Sequence, residues 1–266
     1  MYDRYDRRIR YLRVSVTDRC NLRCIYCMPE DGIKLISHKD ILSYEELIKV
    51  IVASVSLGID KVRITGGEPL VRKGIVPFIN RVANITGIKD LGLTTNGMLL
   101  EEFAFPLAEA GLHRINISLD TMDPVRYRDI TRGGNLSKVI NGIEAARTAG
   151  LEPIKINCVI RNSTEEKDAM GVRDFCGRNG YEARFIHQMN LEDGCFTIVE
   201  NGHGGDCRNC DRLRLTANGK IKPCLFSNLE FDIRSMGIIP ALEAAVEAKP
   251  EKGTVNTSDF FHNIGG

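Results

Sequence analysis

The chain lacks an excess of charge of either sign: 36 Lys and Arg face 35 Asp and Glu, for a formal net charge of +1. That balance excludes a basic nucleic-acid coat and an acidic disordered chain. A long apolar run is also missing. The longest, around Val50 to Leu57, is broken by Ser54 and Ser56 and falls far short of the roughly 18 residues of a membrane span. Met1 to Arg10 alternate charges without the apolar centre of a signal peptide, so the expected location is the cytoplasm. No internal repeat is visible. What remains is ordinary for a globular protein, with 43% hydrophobic and 27% charged residues over 266 positions, enough to bury a core in one or two domains. The nine cysteines are less ordinary. In an unexported chain they point away from disulfides and need another explanation.

Apolar periodicity switches repeatedly between two and about 3.6, with turn residues at the joins, which is the pattern of successive strand and helix units. It predicts strands near 11–17, 61–65, 90–95, 113–119, 154–160 and 182–188. Helices are predicted between them. Ser43 with Glu46 forms a capping box for a helix ending by Gly58, and Ser163 with Glu166 is read as another. Pro124 after Asp123 starts a helix, and Val139, Ile140, Ile143 and Ala146 make an apolar stripe that stops at Gly150. After Met189 the pattern breaks into Gly-rich and Cys-rich stretches with a short helix near Pro240 to Ala248. The expected fold is α/β, a partial (βα)6 barrel over 1–189 followed by a small C-terminal domain over 190–266.

Strands covered on both faces read as near-continuous apolar runs, but these have one polar face. Leu12, Val14 and Val16 alternate with Arg13, Ser15 and Thr17, and Val62 and Ile64 with Lys61, Arg63 and Thr65. Likewise Ile115 and Ile117 alternate with Arg114, Asn116 and Ser118, and Ile154, Ile156 and Cys158 with Lys155 and Asn157. If the apolar faces meet the helices, the polar faces line the interior of a curved sheet, where a desolvated Lys or Arg is costly without a partner. Arg13, Arg63, Lys155 and Arg184 come from four strands. Such a concentration in a nearly neutral protein suggests a polyphosphate or polycarboxylate ligand. The plainer alternative is an antiparallel sheet with one wet face.

Cys20, Cys24 and Cys27 make a C-x3-C-x2-C spacing in the loop after the first strand. Three thiolates from a short loop can hold three irons of a [4Fe–4S] cluster and leave the fourth open to a small molecule. A closed structural zinc site would want four ligands. Near the other end, Cys207 and Cys210 form a C-x2-C hook, and Cys224 follows after thirteen residues. This set reads either as zinc, with Cys195, His203 or Asp211 as fourth ligand, or as a second three-cysteine cluster. Between them Arg212 and Arg214 share one face of an extended segment, and Asn218-Gly219 reads as a hairpin turn. Cys158 and Cys176 read as small core residues and Cys195 as a bystander. His38, His113 and His262 have no partner pattern, and the charges of Met1 to Arg10 read as a solvated segment.

The first cysteine spacing, with Tyr26 just before its last member, resembles the radical S-adenosylmethionine (SAM) superfamily. Gly66-Gly67-Glu68-Pro69 after the second strand is similar to the loop that contacts the SAM amino group there. Over nearly its full length the chain resembles the GTP 3′,8-cyclase (MoaA) family of molybdenum cofactor biosynthesis. The matching text is Thr17 to Glu30 (TDRCNLRCIYCMPE), Val62 to Leu70 (VRITGGEPL), Leu93 to Gly97, Asn116 to Asp120, Lys155 to Asn157, Arg184 to Ile186, the second cysteine set and Gly265-Gly266.

The resemblance implies that Cys20, Cys24 and Cys27 hold the SAM cluster, and that Cys207, Cys210 and Cys224 hold an auxiliary [4Fe–4S] cluster whose open iron meets guanine. Tyr26, Gly67, Ser118 and Met189 would lie against SAM. Arg13, Arg63, Thr94, Lys155, Arg184, Arg212, Leu213 and Arg214 would contact GTP. It also implies the chemistry: a 5′-deoxyadenosyl radical takes the ribose 3′ hydrogen, C3′ attacks guanine C8, and reduction gives (8S)-3′,8-cyclo-7,8-dihydro-GTP. Implied partners are a low-potential electron donor and, as the next enzyme, cyclic pyranopterin monophosphate synthase (MoaC). A homodimer is compatible with the resemblance. The Gly265-Gly266 tail would enter the site. One departure stands out: seventeen residues separate Met189 from Cys207, where most of the family has a longer insert.

Two other functions compete. A radical SAM maturase acting on a peptide would show a longer, cysteine-richer C-terminal region and an acidic or apolar cleft. A zinc-bearing nucleotide-binding protein without radical chemistry would not need Cys20, Cys24 and Cys27. Nucleic-acid binding is not expected at this charge without an aromatic-rich basic motif.

Overall fold

The computed structural model describes residues 1–29, 33–189, 197–202 and 204–257. Cys195, His203, His262 and the Gly265-Gly266 tail, all singled out above, lie outside the described residues.

Six strands appear where the period-two pattern put them: β1 (Tyr11–Ser15), β2 (Lys61–Thr65), β3 (Asp90–Thr95), β4 (Arg114–Ser118), β5 (Lys155–Ile160) and β6 (Glu182–His187). All five neighbouring pairs among them are parallel and in sequence order, which sets aside the antiparallel alternative. Helices α1 (Tyr44–Ser56), α2 (Ile75–Ala83), α3 (Leu100–Glu109), α4 (Pro124–Thr131), α5 (Leu136–Thr148) and α6 (Lys167–Asn179) alternate with them, α4 and α5 sharing one crossover. The apolar strand faces, Leu12, Val14, Val62, Ile64, Leu91, Leu93, Ile115, Ile117 and Ile156, are buried in one core with Phe78, Leu107 and Ile143. These are the six parallel βα units of the partial barrel expected from the sequence.

The capping box at α1 is complete. Ser43 Oγ accepts from the Glu46 N–H at 3.2 Å and Glu46 Oε2 from the Ser43 N–H at 2.7 Å, an arrangement worth about 1 kcal/mol. The second predicted box is a correction. Ser163 Oγ accepts from Glu165, not Glu166, and α6 begins only at Lys167. Glu166 instead gathers the backbone N–H groups of Arg161, Asn162 and Ser163, so the carboxylate closes a turn before the helix.

The chain after Met189 does not build a separate sheet. Strand β7 (Arg212–Leu215) pairs parallel with β1, and β8 (Lys220–Lys222) and β9 (Phe231–Asp232) follow antiparallel, so the nine strands run β6-β5-β4-β3-β2-β1-β7-β8-β9. The Asn218-Gly219 turn joins β7 to β8 with Gly219 at φ +91°, a conformation that suits glycine. Two helices follow, α7 (Ile233–Met236) and α8 (Ile238–Glu247), and α8 packs against α1. The N-terminal segment, read as solvated, is another correction: Asp3 and Arg7 are buried as an ion pair at 2.7 Å. No helix among the described residues is long and apolar enough to cross a membrane.

Candidate active site

Parallel βα sheets present their loops at the C-terminal strand ends, and the loop after β1 carries Cys20, Cys24 and Cys27. It is fixed from two sides. The Gly67 N–H donates to Thr17 O at 2.7 Å and the Glu68 N–H to Arg19 O at 2.8 Å. From the other side, Arg132 donates to the carbonyls of Arg23 and Met28. Gly67 is required by contact: a Cβ there would stand 2.4 Å from Arg19 O. Gly67→Ala is therefore expected to displace the cysteine loop, lowering iron incorporation at least severalfold with little change in circular dichroism. Unchanged iron content would contradict it.

The three thiols line one cavity of about 190 Å³ together with Tyr26, Gly67, Thr94, Ser118, Asn157 and Met189. All four residues expected against SAM are thus gathered around the cysteines. Cys20 Sγ accepts from the Leu22 N–H at 3.4 Å and from Asn96 Nδ2 at 3.7 Å, the kind of contact that tunes thiolates in iron–sulfur sites. Burial pushes the Cys20 and Cys24 thiols up, and Cys27 up to about 12. These thiolates need a cationic partner to form. No three Cys, His, Asp or Glu side chains among the described residues converge to hold a single metal ion. A four-iron cluster is instead bound at separate corners. The donor set fits it.

Two buried carboxyls brace this cavity, both within motifs quoted above but given no role of their own there. Asp120 accepts from the Tyr26 hydroxyl at 2.7 Å and from the Val159 N–H at 2.8 Å, tying the cysteine loop to β5. Burial raises its carboxyl to about 6. Glu68 accepts from Thr95 Oγ1 at 2.7 Å and from the Asn96 N–H at 2.7 Å, yet burial raises it to about 7. A carboxyl whose folded value lies above its unfolded value near 4.5 binds more protons when folded, so it loses stability as pH rises from 4.5 to 7, by about 3 kcal/mol at most. The urea midpoint of the cluster-free chain should therefore fall over that range. Glu68→Gln should flatten the fall, and a wild-type slope in the variant would refute the assignment.

The concave face of the sheet forms a second cavity, of about 620 Å³, lined by Arg13, Arg63, Thr94, Lys155, Arg184, Arg212 and Arg214. Every sequence-predicted nucleotide residue but one therefore shares it. The exception is Leu213, whose side chain points to the opposite face of β7 and is buried in the apolar core. Register puts Arg214, Arg13 and Arg63 side by side across β7, β1 and β2. Like charges placed opposite one another are destabilising. Burial first, then Arg214, depress the Arg13 guanidinium to about 9, and burial with Arg212 depresses Arg214 to about 10. Both remain cationic at neutral pH. Arg63 Nε, Arg184 Nε and Thr94 Oγ1 are buried with no hydrogen-bond partner among the described residues, a state that a ligand's acceptors or donors would relieve.

Tyr11 and Arg114 also line this cavity. Tyr11 has the same parity as Arg13, so alternation could have found it; its ring lies 4.9 Å from Lys61 Nζ and 5.8 Å from the Arg63 guanidinium carbon. Arg114 is neutralised by a bidentate pair with Asp90, 2.7 Å at both bonds. Lys155 pairs with Glu182.

Cys207, Cys210 and Cys224 line a third cavity of about 550 Å³ with Pro223, Leu225, Phe226 and the 252–255 segment. Burial opposes the Cys210 thiolate, but Lys249 and Arg212 outweigh it and bring the thiol down to about 7. That environment suits a metal-ligating thiolate. Thr94, Asn157, Ile186 and Met189 are walls of both the first and second cavities, and Asp206, Arg212, Arg214 and Leu225 of both the second and third. The three spaces adjoin in a row.

Residues 14–176 match the model of the Radical SAM superfamily, an enzyme class that binds SAM and a [4Fe–4S] cluster. Relatives named GTP 3′,8-cyclase are 43% identical in Thermodesulfovibrio yellowstonii, over 89% of this chain and 88% of that protein, and 43% in Heliobacterium modesticaldum, over all of both. Among solved structures, Streptococcus suis SuiB bound to its precursor peptide SuiA superposes with a TM-score of 0.62 at 15% identity, covering 94% of this chain and 75% of that one. AdoMet-bound anSMEcpe gives 0.62 at 14%, covering 91% and 81%. These two likenesses concern the fold. By the extent and identity of its sequence matches, the chain belongs to the GTP 3′,8-cyclase family of the radical SAM superfamily. Its alignment with the Heliobacterium protein spans 327 positions against 266 residues here, so this is a short member.

Proposed function

We propose that the chain converts GTP to 3′,8-cyclo-7,8-dihydro-GTP, with SAM in the first cavity, the nucleotide in the second and a second [4Fe–4S] cluster on Cys207, Cys210 and Cys224. The observation that carries this reading is the row Arg214, Arg13 and Arg63, set between two cysteine-lined cavities that share walls with it. When bound, the first cluster supplies the electron that releases a 5′-deoxyadenosyl radical from SAM.

The chain's own residues do the rest of the positioning. Tyr26, braced by Asp120, together with Gly67, Ser118 and Met189, holds SAM beside Cys20, Cys24 and Cys27. The arginine row with Arg184, Arg212 and Lys155 takes the triphosphate, whose charge relieves their mutual repulsion. Thr94 stands at the junction of the first two cavities, where the ribose has to meet the SAM-derived carbon. The walls of that junction, Thr94, Asn157, Ile186 and Met189, are half-buried, and SAM and the nucleotide seated together there would keep water from a reactive carbon centre. A low-potential donor supplies the electron, and a successor of the cyclic pyranopterin monophosphate synthase (MoaC) kind consumes the product in the cytoplasm.

GTP deuterated at C3′ tests the reading. Transfer of the label into 5′-deoxyadenosine is expected, and label-free 5′-deoxyadenosine formed at the same rate would refute it.

A further inference from the structure

Lys249 follows α8 and is 1% exposed. Its ammonium donates to Arg212 O at 2.7 Å and to Pro223 O at 2.6 Å. Arg212 lies two residues past Cys210, and Pro223 immediately precedes Cys224, so a single cation ties the C-x2-C hook to the third cysteine. The residues after it close over the same space. The Thr254 N–H donates to Phe226 O at 2.8 Å and Asn256 Nδ2 to Leu225 O at 2.8 Å. From the other end of the chain, Arg7 donates to Cys207 O at 2.7 Å, to Pro250 O at 2.7 Å and to Glu251 O at 3.0 Å.

Burying an ammonium is costly unless something anionic accompanies it. Two carbonyls satisfy hydrogen bonds but carry no charge. Its two acceptors set Lys249 between the chain segments that carry Cys210 and Cys224, and the anionic counterpart these segments offer is their thiolates and whatever they bind.

We propose that Lys249 is a positioning residue for the auxiliary cluster: it joins the two halves of the ligand set and places a fixed positive charge beside them that favours the reduced cluster. This rests on reading Cys207, Cys210 and Cys224 as cluster ligands. Each electron added makes a thiolate-bound cluster more negative, so a buried cation nearby raises its potential. Arg7 fastens the Cys207 end without being placed between the ligand segments.

The test is a redox titration of the fully loaded enzyme followed by electron paramagnetic resonance, with iron and sulfide counted first. Iron and sulfide for only one cluster in the unsubstituted protein would refute the cluster reading before Lys249 is reached. With two clusters present, Lys249→Gln, which keeps donors but no charge, is expected to shift the auxiliary potential to more negative values, and Lys249→Arg to restore it. Loss of the second cluster in Lys249→Gln with its recovery in Lys249→Arg gives the same support. An unshifted potential in Lys249→Gln overturns the proposal. So does equal loss of folded protein in both variants, which would make Lys249 a packing residue whose charge is immaterial.

Discussion

Cys24→Ala is expected to reduce SAM cleavage to the background seen without protein, and to remove one cluster's complement of iron while the chain stays folded. The loop that carries Cys24 is held by backbone contacts, Gly67 to Thr17, Glu68 to Arg19 and Ile25 to Ile130, and by Arg132, none of which involves the cysteine side chain. Its thiol is half-buried, and desolvation pushes it well above the usual range in the bare protein. The apolar core behind it is built from β1 and β2. Removing the sulfur therefore costs the cluster a ligand without opening the core. Iron analysis with far-ultraviolet circular dichroism checks both halves, and retained iron together with retained cleavage would remove Cys24 from the ligand set.

Arg212→Ala with Arg214→Ala is expected to weaken GTP binding and turnover on the order of 10²- to 10⁴-fold, since each charge-assisted hydrogen bond contributes roughly 1.5–3 kcal/mol. The same variant should still cleave SAM slowly when GTP is absent, because neither arginine lines the first cavity. In the ligand-free protein the two substitutions act oppositely on stability: loss of Arg212 gives up its favourable interaction with Cys210, and loss of Arg214 relieves repulsion. Arg214 stands beside Arg13 across the β1–β7 ladder, and removing one of two adjacent buried cations relieves repulsion. Calorimetric titration with GTP and a thermal melt separate these effects. Unaltered GTP affinity would empty the second cavity of its assigned ligand.

Alternation of polar and apolar residues located six strands to within about two residues, because one-sided burial leaves a period-two trace in any sequence. The same parity placed Arg13, Arg63, Lys155 and Arg184 on the concave face, and the two cysteine spacings marked the two ends of the row. What stayed hidden is non-local. Nothing near Arg212 announces that β7 pairs with β1, some 200 residues away, and so sets Arg214 next to Arg13. Asp120 lies at a strand end, and its hold on Tyr26 needs the folded loop. The ties made by Arg7 and Lys249 are invisible in the sequence because their acceptors are carbonyls of distant segments. The false capping box at Ser163 shows the converse: the local pattern is present, but Glu166 serves three N–H groups of the preceding turn rather than the helix start.

The most direct test is anaerobic. With clusters reconstituted and reductant and SAM supplied, 5′-deoxyadenosine and nucleotide products are measured with and without GTP. The account predicts that GTP accelerates SAM cleavage and that a nucleotide isomeric with GTP, joined between C3′ and C8, accumulates with 5′-deoxyadenosine. SAM cleavage indifferent to GTP, with the nucleotide recovered unchanged, would contradict it.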